Sequence, residues 1–181
     1  MARAHFGPEL FRFLRDLAKH NDREWFAKHK ARYEEHVRDP MLRFIEDLGP
    51  VLQETAPRFV ADPHLEPGDV MSGAGLWQPD RDALAKVRDA MVAKPARFER
   101  SISGKAMAKL AWHGEALKRP PPGTPPDHPL VEHLKRKDFA VGATWDEKRA
   151  CAPDFLERCA ESYRTAAPLM EWLTRAVGLP W

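Results

Sequence analysis

The run Asp69-Val70-Met71-Ser72-Gly73-Ala74-Gly75-Leu76-Trp77 is the strongest constraint on how this chain can fold. Each glycine in a helix interior costs about 1 kcal/mol against alanine. Two of them within three residues therefore exclude helix, in a chain whose apolar residues otherwise recur at helical spacing. The run fits a strand whose backbone is closely approached by another segment. A second stretch, Phe139-Ala140-Val141-Gly142-Ala143-Thr144, reads the same way. The expected fold is α+β: a helix-dominated single domain, residues 1–181, with a small sheet built from these two strands and whatever a segment missing before the first of them supplies.

The helices are punctuated by proline. Pro8 suits a first turn, where its missing N–H is no loss, and Leu10, Phe11, Leu14, Leu17 and Ala18 follow at helical spacing. Asn21 is expected to cap a second helix, with Glu24 three residues on closing a capping box. That helix runs over 22–38, with Phe26, Tyr33 and Val37 inward and the pairs Glu24–Lys28 and Glu34–Arg38 outward. Pro40 restarts the chain, and Leu42, Ile45, Leu48 and Leu52 stripe a third helix that Pro57 ends. These N-terminal helices cover 8–55, and a strand-and-helix region covers 65–115, with Leu84, Val87 and Met91 inward and Pro95 opening a short helix. Residues 118–127 hold five prolines and a glycine and read as a surface loop. A C-terminal region, 129–178, carries the second strand and two helices, from Pro153 to Thr165 and from Pro168 to Val177. Phe26, Tyr33, Leu48, Leu84, Phe155 and Trp172 are expected to lie largely buried in one core.

Composition narrows the class. Hydrophobic residues are 43% and charged residues 31%, which is globular rather than disordered. The net charge of +2 is too small to imply a polyanionic partner, which disfavours nucleic acid. No apolar run approaches the roughly 20 residues that span a bilayer, and Met1-Ala2-Arg3-Ala4-His5-Phe6 lacks the apolar core of a secretion signal. The expectation is a cytoplasmic protein with no membrane partner. Cys151 and Cys159 stand eight apart on a helical pattern, about 12 Å along an axis, so they read as reduced structural thiols rather than a disulfide.

Four stretches stand out together: Asn21-Asp22-Arg23-Glu24-Trp25-Phe26, Pro67-Gly68-Asp69-Val70, Gly73-Ala74-Gly75-Leu76-Trp77 and Leu134-Lys135-Arg136-Lys137-Asp138-Phe139. In order and spacing they resemble the conserved hypothetical family of bacteria and fungi called domain of unknown function 2461, from about Phe6 to Ala176. The resemblance implies a cytosolic α+β domain and no established reaction. It also implies about 35–40 further residues, rich in Arg, Lys, Asp and aromatics, between the third helix and the Pro-Gly-Asp turn, far beyond an ordinary loop. Here Pro63 runs straight into His64. A break in the chain is expected at that join, with a Cα–Cα distance well above the 3.8 Å of a trans peptide.

Several catalytic patterns are missing. Gly73-Ala74-Gly75 has Gln78 where a dinucleotide fingerprint needs its third glycine. No phosphate-binding Gly-Lys-Ser/Thr loop and no nucleophile elbow occurs. The eight histidines form no metal pattern: His29 and His36 are about 10.5 Å apart along a helix, and His128 and His133 lack a third ligand nearby in sequence. No cofactor is indicated, no metal ligand is assigned, and no general base or nucleophile can be named, which leaves open whether the chain is an enzyme. The basic residues carry more. Lys118 and Arg119 open the proline loop and Lys135 and Lys137 precede the second strand, cations suited to phosphate or carboxylate. Solvated helix ends are the plain alternative for them. Trp77 follows the first strand, where it could line a pocket. The leading reading is a domain that binds a small anionic ligand in a cleft beside the sheet, through Lys118, Arg119, Lys135, Lys137 and Trp77. The second is a protein- or nucleic-acid-interaction module using the amphipathic N-terminal helices. Oligomeric state is left open.

Overall fold

The computed structural model describes residues 4–58, 70–125 and 127–181. The elements are α1 (Pro8–Lys19), α2 (Arg23–Lys28), α3 (Lys30–Tyr33), a π-helical turn (Glu34–Arg38), α4 (Asp39–Thr55), β1 (Val70–Leu76), α5 (Arg81–Ala93) and α6 (Pro95–Ser101). There follow a 3-10 turn (Met107–Lys109), β2 (Ala111–His113), α7 (Val131–Leu134), β3 (Phe139–Trp145), α8 (Glu147–Ala150) and α9 (Phe155–Ala176). The architecture is helix-dominated α+β with a three-stranded antiparallel sheet. By its own packing the chain divides into two compact units, one from residues up to Met71 with Thr144–Glu161, the other Ser72–Ala143 with Ser162–Trp181. The Pro63–His64 join lies outside the described residues.

In the first unit, α1 has its proline at the N-terminus and buries Leu10, Phe11, Phe13 and Leu14. The expected second helix is not continuous, and its cap is one residue later. Asp22, in extended conformation, caps α2 by accepting the N–H of Trp25 at 2.8 Å. His20 and Asn21 are used up in the turn, because the His20 N–H still closes on the carbonyls of Asp16 and Leu17. Glu24 consequently falls at the second helical position, too early to close a capping box. The helix breaks at His29 (φ −110°, ψ 12°), whose N–H is shared between the Trp25 and Phe26 carbonyls while its Nδ1 lies 2.8 Å from the Trp25 carbonyl oxygen.

Pro40 does not restart the chain either. The ring would strike the carbonyl four residues back in a regular α-helix. The preceding turn widens instead, with the Asp39 N–H reaching Glu34 five residues back, and runs directly into α4. The buried stripe of α4 is Pro40, Phe44 and Leu48, which shares only Leu48 with the expected one: Ile45 and Leu52 are half-buried and Leu42 is 44% exposed. Phe6, Phe44 and Phe155 pack ring on ring at 5.0–5.9 Å. Phe26 and Tyr33 are half-buried, in contact with each other at 5.2 Å.

The second unit holds its own core of Val87, Met91, Phe98, Met107, Leu130, Leu134, Phe139, Val141, Ala166, Leu169 and Leu173. Leu84 and Trp172 pack against it from its rim, half-buried. The six residues expected in one core are thus divided between two units, and only Leu48 and Phe155 among them are buried. Strand order is β1-β3-β2, and Ala111, Trp112 and His113 pair antiparallel with Gly142, Val141 and Ala140. The third strand among the described residues therefore comes from Ala111–His113, not from a missing segment as expected, because three residues carry no period that marks a strand. The glycines serve backbone packing, as expected. A Cβ on Gly75 (φ +148°) would lie 2.0 Å from the Phe139 carbonyl oxygen, and one on Gly142 would lie 2.1 Å from that of Ser72. The two expected C-terminal helices are one, since Pro168 sits inside α9. Cys151 and Cys159 are not joined in a disulfide, and burial pushes the Cys159 thiol up to about 12.

Candidate functional site

Within the second unit, the segment that links α7 to β3 gathers polar groups at one end of the sheet. Asp138 is its anchor. The side chain is 5% exposed, yet its two carboxylate oxygens accept the Gln78 N–H at 2.8 Å and the Glu115 N–H at 2.9 Å. One buried carboxylate thereby holds the turn after β1 and the turn after β2 against the start of β3. Gly114 (φ +88°) makes room for it, because a Cβ there would sit 2.3 Å from the Asp138 Cβ. The same fastening sets Gln78 in the left-handed region at φ +46° and leaves Trp77, one residue before, 58% exposed.

The ladder continues past β2 in a one-residue bridge, Ala116 with Arg136. The Leu117 N–H donates to the Lys135 carbonyl at 2.7 Å and the Lys137 N–H to the Glu115 carbonyl at 2.9 Å. The basic run divides by partner, with Lys135 still in helical conformation as the cap of α7 (φ −70°, ψ −19°). Lys135 pairs with Glu132 at 2.6 Å and Lys137 with Glu115 at 2.7 Å, with both carboxylates about three-quarters exposed (76% and 75%). The Glu115 bond holds the Lys137 ammonium above its usual value. Such exposed pairs add little to stability and exchange readily with other ions.

Arg136 is different. Its guanidinium lies 4.3 Å from the centre of the Trp112 ring, half-buried, and its Nε is sealed from solvent without a hydrogen-bond partner among the described residues. Arg88, from α5, donates from Nε to the Leu134 carbonyl at 3.1 Å and from Nη2 to the Arg136 carbonyl at 2.9 Å. Desolvation lowers both guanidinium pKa values, and neither group has a carboxylate partner among the described residues. His133, on α7, completes the cluster. Its ring meets Phe98 at 5.0 Å and Trp112 at 5.2 Å, and its Nδ1 is buried without a hydrogen-bond partner among the described residues. Desolvation first, and then the Arg136 charge, hold the imidazole below its usual value, with Glu132 opposing.

Of the residues singled out by sequence, Lys135 and Lys137 lie on this segment with neutralising partners. Lys118 and Arg119 follow directly on the bridged Leu117, exposed and without an ion-pair partner among the described residues. Trp77 reaches the same end of the sheet through the Gln78–Asp138 bond. Sequence alone singles out neither Arg88 nor Trp112, offers His133 only as an incomplete metal ligand, and holds Arg136 and Asp138 only as parts of a motif. Arg88 follows the inward Val87 and stands four after Leu84, a flank position that could have marked it.

A cleft of about 1430 Å³ lies elsewhere, within the first unit. Glu34, Glu35, Asp39, Asp47, Asp154 and Glu157 line it against Arg38 and Arg43, so its walls are net acidic. Arg38 is held by Glu34 at 2.6 Å and Asp39 at 3.0 Å, and His5 by Asp47 at 2.8 Å. None of the sequence-selected basic residues lines this cleft.

No curated protein and no solved structure is significantly similar to the chain. A family of proteins does match, in two stretches, residues 9–64 and 63–172, which meet at the Pro63–His64 join. Together the stretches span both units and every residue of the Arg136 cluster, and on that match the chain belongs to the family described as conserved hypothetical protein (DUF2461).

Proposed function

We propose that this chain is a cytosolic domain that binds a small oxyanion, phosphate- or carboxylate-bearing, at the Arg136 cluster. The observation that carries the reading is the pair Arg88 and Arg136: two half-buried guanidiniums beside one stretch of backbone, with no carboxylate between them among the described residues. A partly desolvated cation without a counter-ion is costly, and an anion from solution offsets that cost. In this reading Arg136 makes the direct contact, its planar fork suited to two oxygens at once. Arg88 holds the Arg136 backbone in place and adds positive potential. Lys118, Arg119, Lys135 and Lys137 form an outer ring that attracts the ligand, and Trp77 borders it. A thermal-shift screen of phosphorylated metabolites, nucleotides and dicarboxylates tests this, since a ligand of the folded state raises its melting temperature by mass action. We expect stabilisation by at least one class, lost in Arg136→Gln and weakened in Arg136→Lys. Stabilisation that survives Arg136→Gln places the ligand elsewhere, and a silent screen removes the reading.

The acidic cleft supports a second reading, an interaction module built on the N-terminal helices. Six carboxylates facing two arginines favour a cationic partner, such as a basic peptide segment, and repel the backbone of a nucleic acid. Binding of a lysine-rich peptide that weakens with salt and with Glu35→Gln is the expected signature. Equal binding by the variant counts against it.

A further inference from the structure

We propose that anion binding at Arg136 is coupled to protonation of His133, so that the site takes up an oxyanion together with a proton; this deepens the anion reading above and rests on it. Arg136 and His133 stand three residues apart and share one indole, Trp112, with the guanidinium over its face at 4.3 Å and the imidazole tilted against it at 5.2 Å. Phe98 of α6 closes the other side of the imidazole at 5.0 Å. Trp112 and Phe98 bring no charge of their own, so the charged groups acting on the imidazole are Arg136, which opposes its protonation, and Glu132, which favours it. Glu132 is exposed and engaged by Lys135 at 2.6 Å, which leaves Arg136 the stronger of the two influences.

An oxyanion on Arg136 reverses that balance. It cancels the guanidinium charge and brings negative charge within reach of the imidazole, in surroundings poor in water where such interactions are least screened. The buried Nδ1 of His133, without a hydrogen-bond partner among the described residues, gains an incentive to carry a proton once the anion binds. Linkage is reciprocal: if the anion raises the proton affinity of His133, protonation raises the affinity for the anion by the same factor. His133 is then a specificity-determining residue, favouring oxyanions with charge to spare after pairing with one guanidinium.

The test uses sulfate as probe, because it stays fully ionised from pH 5.5 to 7.5 and any pH dependence must come from the protein. Affinity is measured on the full chain by calorimetry at constant ionic strength. Wild type is expected to bind about tenfold more tightly at pH 5.5 than at pH 7.5, within the usual range of coupling between sites. His133→Gln is expected to bind with the wild-type pH 7.5 affinity at every pH, and Arg136→Gln at none. Sulfate binding lost in Arg136→Gln but with an undiminished pH slope in His133→Gln overturns the coupling and leaves the anion site standing. No sulfate binding by wild type at any pH, or binding that survives Arg136→Gln, overturns both. If His133→Gln does not fold, the wild-type His133 Cε1–H resonance decides. A titration midpoint that rises on adding sulfate supports the coupling, and an unmoved midpoint refutes it.

Discussion

Asp22 and Asp138 both use a carboxylate to hold backbone N–H groups, one at the surface and one in the interior. Asp22 satisfies a donor that α2 would otherwise leave to water. Replacing it with Ala is expected to cost about 1 kcal/mol, read as a shift in the urea midpoint. Asn21→Ala, one residue earlier, should leave that midpoint nearly unchanged. Asp138 holds two loops from the inside, and nothing in residues 135–139 taken as a string separates its role from that of its charged neighbours. His133 gives a residue-scale prediction in pH. Its pKa in the folded chain lies below the ordinary value, so the unfolded chain binds more protons once the pH drops under about 6.5. The stability that the neutral imidazole contributes is fully present above that value and is lost as pH falls toward the folded pKa. Between pH 7.5 and 5.5, wild type should therefore lose more stability than His133→Gln in parallel urea titrations. Equal losses would mean that the imidazole is no more buried from protons in the fold than in the open chain.

At the scale of elements, the sheet shows how glycine was read correctly while its neighbours were not. The run with two glycines, too rich in them for helix, is β1, and the second expected strand is β3. Their glycines allow backbone to meet backbone, at Gly75 against Phe139 and at Gly142 against Ser72. Alanine at either position has nowhere to place its methyl group. Overpacking usually costs about 1–3 kcal/mol and occasionally more, and we expect Gly75→Ala and Gly142→Ala at or above the top of that range, measured by chemical denaturation. A cost under 1 kcal/mol would mean that the strands can part at those positions. β2 escaped the sequence reading because three residues, Ala111-Trp112-His113, carry no period that can be recognised. Proline misled in the opposite direction. Pro40 and Pro168 read as helix boundaries in the sequence, yet a widened π turn absorbs the first and α9 runs through the second. A missing N–H and a steric clash are local costs, and packing along a whole helix outweighs them.

For the whole molecule, the hydrophobic interior is divided between two compact units, and each has a fully buried phenylalanine near its centre, Phe13 in one and Phe98 in the other. Truncating either to Ala should destabilise its unit by about 3–5 kcal/mol, seen as an earlier urea transition, whereas Phe26→Ala, at a half-buried position, should cost less. The α+β class, the dominance of helix, the two main strands, the first helix and the family were all legible in the chain, because each rests on local period, on glycine content or on motif order. The stripes of α4 and the split core were not. Which side of a helix is buried depends on what packs against it, and Leu42 and Phe44 are equally apolar as letters. The candidate site was legible only in its outline. Sequence marked the basic stretch Lys135-Arg136-Lys137 but ranked the two lysines above the arginine between them. Charge and position along the chain are properties of the sequence. Which cation meets an exposed glutamate and which is left over an indole without a counter-ion depends on segments brought together from α5, β2 and α7, and the tertiary structure alone decides that.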